Sequence, residues 1–270
     1  MNAEKKDQGR SCKPFKFDLA LSVLSAFICV LFFCAVCPAQ IHPHSFSPRQ
    51  LGIMQAWYRT DAITALADGD PVASWVDSTA NARTLTQSTA DYRPAYKVSI
   101  QNGRPAIRFD GTNDMLSGAS FAATQWTIFS VQRPDEVALY RTVYNIWPGK
   151  PNESNVWATF LNTNNLFFRF KDTTWSMYYP AHSTSITVPE AWSLRFDNVG
   201  WTSWVNGIAL SPQSETTLVP GGGTNVNVGS WLQDIRQWDG DIFELAFFAE
   251  ALSDRDRQRV ERYLSRKWGL

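Results

Sequence analysis

The stretch Trp201-Thr202-Ser203-Trp204-Val205-Asn206-Gly207-Ile208-Ala209-Leu210 carries the local signal that decides the fold. Asn206 and Gly207 both tolerate positive φ, and two such residues between apolar runs specify a tight β-hairpin. Outward from it, to about residue 51 in one direction and 253 in the other, short apolar or alternating segments recur. They are separated by Gly, Asn, Asp and Pro, the pattern of an all-β sandwich. Strands are predicted over 55–58, 106–109, 127–132, 156–161, 166–171, 191–196, 202–205 and 242–248. The Gly run at 221–223 requires a flexible or tightly turned connection. No linker or clear repeat divides the chain.

The last segment differs in kind. Ser253-Asp254-Arg255-Asp256 suits a helix start, with the Ser hydroxyl accepting a backbone N–H and Asp256 answering it. Val260, Tyr263, Leu264 and Trp268 then fall on one face. Asp254 and Asp256 match the positive end of the helix dipole, and Arg266 and Lys267 the negative end. A short amphipathic helix packed on the sandwich is expected. Arg255, Arg257, Arg259 and Arg262 make its outer side basic, either a solvated face or a contact for an anionic surface.

The 270 residues carry 25 bases and 25 acids, so no overall field draws the chain to nucleic acid. At 44% hydrophobic and 19% charged, it is too apolar for general disorder and too charged for a membrane bundle. All four cysteines (Cys12, Cys29, Cys34 and Cys37) lie near the front. There Lys5, Lys6, Arg10, Lys13 and Lys16 precede an apolar run over 19–37, and Cys37-Pro38-Ala39 resembles a cleavage site. Residues 1–39 are therefore expected to be an export signal, with an uncleaved membrane anchor as the rival. Residues 40–50 form a polar lead-in and 51–270 the sandwich, outside the cytoplasm in either case. Cleavage would remove five bases and three acids, leaving a net charge of −2 and no cysteine. The exported part would then hold no disulfide, thiol nucleophile or thiolate metal site.

A family resemblance joins these readings. Asn102-Gly103-Arg104-Pro105-Ala106-Ile107-Arg108-Phe109-Asp110-Gly111-Thr112-Asn113-Asp114 resembles the early hairpin of laminin-G-like, concanavalin-A-like jelly-roll domains. So do Gly240-Asp241-Ile242-Phe243-Glu244-Leu245 and Ala251-Leu252-Ser253-Asp254 with Val260-Glu261-Arg262-Tyr263-Leu264. Gln55-Ala56-Trp57-Tyr58 and Ala73-Ser74-Trp75-Val76-Asp77 are similar to the family's opening segments. The resemblance implies two curved antiparallel sheets over about 50–270. Its relatives include lectins, glucanases, adhesion modules and structural parts of surface proteins, so fold and activity are separate questions.

Glucanases of this broad fold carry Glu-x-Asp-x-Glu, or Glu-x-Asp-x-x-Glu where a bulge resets the alternation. The nearest match here is Asp239-Gly240-Asp241-Ile242-Phe243-Glu244. A retaining glycosidase needs two carboxyl groups about 5–5.5 Å apart. Glu244 shares a face with Asp239 and Asp241 only if a bulge intervenes. Asp in place of Glu also shortens the reach of the nucleophile, and about 1 Å of misplacement costs ~100-fold. The expectation is that this strand is structural and the protein not an enzyme. His182 is the one histidine beyond the lead-in, no Gly-x-Ser-x-Gly elbow accompanies it, and no phosphate-binding loop is present.

Binding chemistry is better represented. Asp110, Asn113 and Asp114 offer oxygens that suit structural calcium, although Asx turns use the same residues for their own backbone. Asp68-Gly69-Asp70 with Asp77 forms a second acidic region. No cofactor is otherwise required. All 12 tryptophans follow residue 39. Trp57, Trp75, Trp126, Trp192 and Trp268 are expected in the core. Trp147, Trp157, Trp175, Trp201, Trp204, Trp231 and Trp238 have polar neighbours and either pack structurally, as most tryptophans do, or face a ligand. Trp175, Tyr178 and Trp231, with Asn164 in the hairpin region before them, are the chosen contacts for the flat apolar face and hydroxyls of a sugar. The expected partner is a glycan or a surface protein, with a structural or adhesive module as the alternative. Nucleic acid is excluded, and a membrane enters only through 19–37. Asn152-Glu153-Ser154 matches a glycosylation acceptor.

Overall fold

The computed structural model describes residues 46–270 except 52, 122, 137–140, 148–155, 162–164, 172–174, 179, 181, 215–224 and 232–235, with the backbone alone at 147, 156–161, 165–171 and 175–177. The expected signal at 1–39, the start of the lead-in, the glycosylation motif, Asn164 and the Gly run at 221–223 lie outside the described residues. No helix among the described residues is long and apolar enough to cross a membrane.

The strands in chain order are β1 (Met54–Arg59), β2 (Ser74–Trp75), β3 (Leu85–Thr86), β4 (Ala95–Gln101), β5 (Arg104–Asp110), β6 (Leu116–Ala119), β7 (Trp126–Pro134) and β8 (Thr142–Trp147). They continue with β9 (Val156–Leu161), β10 (Asn165–Lys171), β11 (Trp175–Tyr178), β12 (Glu190–Phe196), β13 (Gly200–Val205), β14 (Ile208–Ala209), β15 (Gln213–Ser214), β16 (Asn225–Val228) and β17 (Asp239–Phe248). A helix, α1 (Asp254–Trp268), ends the chain. Each of the eight expected strands is present, and the Asn206-Gly207 hairpin joins β13 to β14 with φ of 50° and 80°. Most of the missed strands are two to four residues long. Their pairing comes from distant chain, which local periodicity does not register.

Two antiparallel sheets face each other. The first runs β14-β13-β12-β7-β17-β5-β4, with β1 also on β17 and β15 on β13. The second runs β11-β10-β9-β8-β16-β6-β3-β2. Tyr58, Trp75, Leu85, Leu116, Trp126, Tyr144, Ile146, Trp192, Val226 and Phe247 belong to the core cluster of the sandwich. This is the expected all-β, two-sheet jelly-roll class.

A second apolar cluster lies on the far side of the first sheet. Phe129, Val131, Ala191, Phe243, Ala246 and Phe248 meet Val260, Leu264 and Trp268 of α1, with Phe46 and Leu51 at the margin. Both faces of β7, β12 and β17 are thus buried. This is why β17 is buried almost continuously instead of in alternation. The helix begins as its sequence dictates, because Ser253 Oγ accepts the Asp256 N–H at 3.2 Å and donates to its carboxylate at 3.0 Å. It ends at Gly269, left-handed at φ 70°.

Candidate functional site

The acidic strand is the first candidate to place. β17 has the register shift that the glucanase pattern requires, between Ile242 and Glu244. The shift puts Phe243 and Glu244 in succession on the helix side, where both pack against Trp268. There the carboxylates are spoken for. Glu244 is 1% exposed and accepts the indole N–H groups of Trp57 at 2.6 Å and Trp268 at 2.9 Å. Lys267 Nζ lies 2.7 Å from it and equally close to Asp61. Asp241, fully buried, accepts both Nε and Nη2 of Arg108 at 2.8 Å and a further bond from Arg133. Asp239 is half-buried at the strand entry, where burial pushes its carboxyl up and Arg141 opposes the rise. These groups hold α1 and β5 to β17. His182 is engaged as well: its Nε2 is 3.0 Å from Glu190, and its ring meets Trp192 edge-on at 5.3 Å.

The loop considered for calcium uses its oxygens on its own backbone. Asp110 Oδ1 accepts the N–H groups of Thr112 and Asn113, and Asp114 Oδ2 accepts that of Asp110 at 2.9 Å. Among the described residues, no group of three or more His, Cys, Asp or Glu converges as metal ligands do. Burial, with the Asp110 charge second, pushes the Asp114 carboxyl up to about 6. A raised folded-state value means that the native chain holds this proton more tightly than the unfolded chain. The stabilisation is complete below the unfolded value, near 3.8, and is lost as pH rises through about 6. Asp114→Asn should therefore gain stability relative to the parent as pH rises from about 4 to about 7, read as the difference in Tm across that range.

The aromatic platform differs from expectation. Tyr178 points into the sandwich, 2% exposed, with its hydroxyl bonded to Ser203 Oγ at 3.0 Å and to the Ser211 carbonyl. Trp231 is 8% exposed, with the Arg236 guanidinium 4.5 Å from its ring centre. Neither presents a free flat face, which corrects their selection as stacking residues. Trp201, Trp204 and Trp238 are buried too; the Trp204 ring lies against Arg257 at 3.9 Å and Arg195 at 5.0 Å. Trp204 is covered because the helix packs on the outer face of the first sheet, whereas Tyr178, Trp201 and Trp238 belong to the core between the sheets. The Trp175 side chain and Asn164 lie outside what is described; the backbone places Trp175 opposite Lys171 at the β10–β11 edge.

A different surface emerges from the register of the second sheet. Ser74, Thr86, Ser117, Asn227 and Asn145 pair in succession across β2, β3, β6, β16 and β8. The register continues the row through positions 157, 169 and 177 on β9, β10 and β11. Partners in an antiparallel register share a face. The flanking Trp75, Leu85, Leu116, Val226, Val228, Tyr144 and Ile146 are core, so this row lies on the outer face. Its signal was present in the sequence as apolar–polar–apolar triplets such as Val226-Asn227-Val228 and Tyr144-Asn145-Ile146.

The row is partly roofed and partly open. Asn145 Nδ2 and Asn227 Nδ2 both donate to the Trp231 carbonyl, at 2.9 and 3.2 Å, while Ser117 Oγ donates to Asn227 Oδ1 at 2.8 Å. Asn145 Oδ1 is buried without a hydrogen-bond partner among the described residues. The roof is aimed by Gly229 at φ 84°, where an added Cβ would sit 2.1 Å from the Phe109 ring. Ser117 is half-buried, and Thr86 and Ser74 are exposed. Past Ser74 the surface falls into a groove of about 350 Å³, whose lining includes Arg59, Ile63, Leu66, Pro71, Ala73 and Val76. The Arg59 guanidinium stacks on Trp57 at 4.5 Å, and its Nε donates to Ser78 Oγ at 3.2 Å. The volume lies within the range of small-ligand clefts, and mostly apolar walls with a few fixed polar groups are their usual composition.

Two packed antiparallel sheets, one backed by a helix, define a jelly-roll β-sandwich. Among solved structures, domain 4 of AbnA, a GH43 extracellular arabinanase from Geobacillus stearothermophilus, in complex with arabinotriose, matches with TM-score 0.56 and 16% identity over 77% of this chain and 97% of that one. The binding domain of botulinum neurotoxin serotype D matches with TM-score 0.58 and 12% identity over 80% of this chain and 53% of that one. The binding domain of Paraclostridial Mosquitocidal Protein 1 gives 0.56 and 14% over 80% and 52%. The chain thus spans about half of each toxin domain. At these identities the likeness is one of fold. No family model and no curated protein matches the chain.

Proposed function

We propose that this chain is an extracytoplasmic module of the laminin-G-like type that binds glycan without turning it over, at the outer face of the second sheet. The observation that carries the reading is the hydroxyl row from Ser117 through Thr86 to Ser74, ending in the groove at Ile63, Leu66 and Val76. A sugar needs spaced hydrogen-bond partners for its hydroxyls and an apolar patch for its ring face, and this surface supplies both. A rigid sheet also costs little to order on binding. The AbnA domain, which shares the fold, was solved with arabinotriose, a precedent for an oligosaccharide on this scaffold. Residues 1–39 are proposed to be removed on export.

The reading requires no cofactor; the Asp110–Asp114 loop is where structural calcium would act. A glycan array probed with the full chain, with calcium and with chelator, tests both points. Selective binding to a class of glycans is expected, unchanged by chelation. No binding to any glycan in either condition would overturn the function, and binding only with calcium would overturn its independence from the metal.

A further inference from the structure

The arginines of α1 separate into two sets. Arg257 is buried, 2.5 Å from Glu261 and over the Trp204 ring, and Arg259 is taken up by Asp256 at 3.1 Å and the Phe46 ring at 4.2 Å. Arg255, Arg262 and Arg266 remain exposed, and none has a carboxylate partner among the described residues. At 100° per residue these three fall within about 20° of a single line, about 16 Å long. The neighbouring acids are already neutralised: Asp254 by Arg195, Asp256 by Arg259, and Glu261 by Arg257. The line is therefore a stripe of uncompensated positive charge on a chain of zero formal net charge.

A groove runs beside the stripe. About 280 Å³ lies between α1 and the Asn206-Gly207 hairpin, lined by Gln258, Glu261, Arg262 and Ser265 from the helix and by Ala191. Arg262 belongs to both features. Its walls are less apolar than those of the groove at Val76.

We infer that the Arg255–Arg262–Arg266 stripe and the groove beside it form a second binding surface, on the side of the molecule covered by α1, for a linear acidic polysaccharide. Charge complementarity selects a polyanion, and guanidinium groups match carboxylate or sulfate in a forked geometry. The concave groove selects a flexible chain over a flat lipid surface, because a chain can lower one residue between helix and hairpin while its charges follow the stripe. No aromatic side chain is among the described residues that line the groove, which disfavours single-stranded nucleic acid. The surface stands apart from the second-sheet row and would give the chain two glycan contacts of different chemistry.

The test uses the full chain and polygalacturonate, a linear carboxylated polymer, at about 50 mM and about 500 mM salt. Binding is expected at low salt and largely lost at high salt. The triple substitution Arg255→Gln, Arg262→Gln, Arg266→Gln should weaken it about 10- to 100-fold, with Arg262→Gln alone giving the largest single loss. Arg266 Nε also donates to the Arg262 carbonyl at 3.1 Å, at the negative end of the helix dipole, so a small fall in Tm is expected while any array-identified neutral glycan binding should stay unchanged. Equal binding by parent and triple variant would overturn the proposal. So would a parent that ignores polygalacturonate but binds anionic vesicles or oligonucleotides. Loss of polygalacturonate binding with retained neutral-glycan binding would support this surface independently of the second-sheet site.

Discussion

Glu244→Ala is expected to lower the unfolding free energy by about 4 kcal/mol, the scale of breaking a buried charge pair by deleting one partner. Glu244 is the acceptor on which Trp57, Trp268 and Lys267 converge, and it is 1% exposed. Its loss strands two buried indole N–H groups and leaves a buried ammonium with Asp61 alone. The consequences are not local, because Trp57 lies on β1 and Trp268 near the end of α1. The same carboxylate thus joins strand, bulge and helix. Denaturant unfolding followed by tryptophan fluorescence should show a lower midpoint with an unchanged slope. A loss below about 1 kcal/mol would show that the helix is held by its apolar face alone.

Asp241→Ala is expected to cost about 3 kcal/mol, somewhat less for a physical reason. Its partners Arg108 and Arg133 are 35% and 21% exposed, so water screens part of what is lost. Asp135, 3.5 Å from Arg133 and 4.0 Å from Arg108, also remains to receive them. The substitution further separates structural from catalytic use of the acidic strand. A reducing-end assay on array-identified glycans should detect no release by the parent, and Asp241→Asn should leave that result unchanged while lowering stability. Hydrolysis by the parent that vanished in Asp241→Asn would make the strand catalytic.

The legible and illegible parts of this molecule divide along a physical line. Asn206-Gly207 and the Ser253 cap were legible because their geometry is set by neighbours in sequence. The five tryptophans expected inside are all buried. Trp231 was misjudged as a stacking residue, for Arg236 lies against its ring, while Trp204, left open between core and surface, is covered by α1 with Arg257 over it; neither contact is displayed by the local sequence. The bulge at Ile242–Glu244 was recognised as a condition, but the sequence did not say whether it formed. The row at Ser74, Thr86 and Ser117 escaped notice because β2 and β3 are two residues each and acquire their register only from β6.

The same contrast directs attention to the second sheet. The first sheet spends its outer face on α1 and the Phe46–Leu51 margin. The second carries exposed hydroxyls beside a groove, with the Trp231 backbone fastened over the middle of the row.

Ala73→Trp tests that assignment most directly. Ala73 is exposed and lines the groove past Ser74, while its carbonyl bond to the Gln87 N–H involves backbone alone. An indole placed there fills the groove without disturbing the core. Titration of parent and variant with the same array-identified glycan should show affinity weakened about tenfold or more, with the far-ultraviolet spectrum and Tm retained. An unchanged Kd in a folded Ala73→Trp chain would contradict the account, because the ligand would then be bound elsewhere.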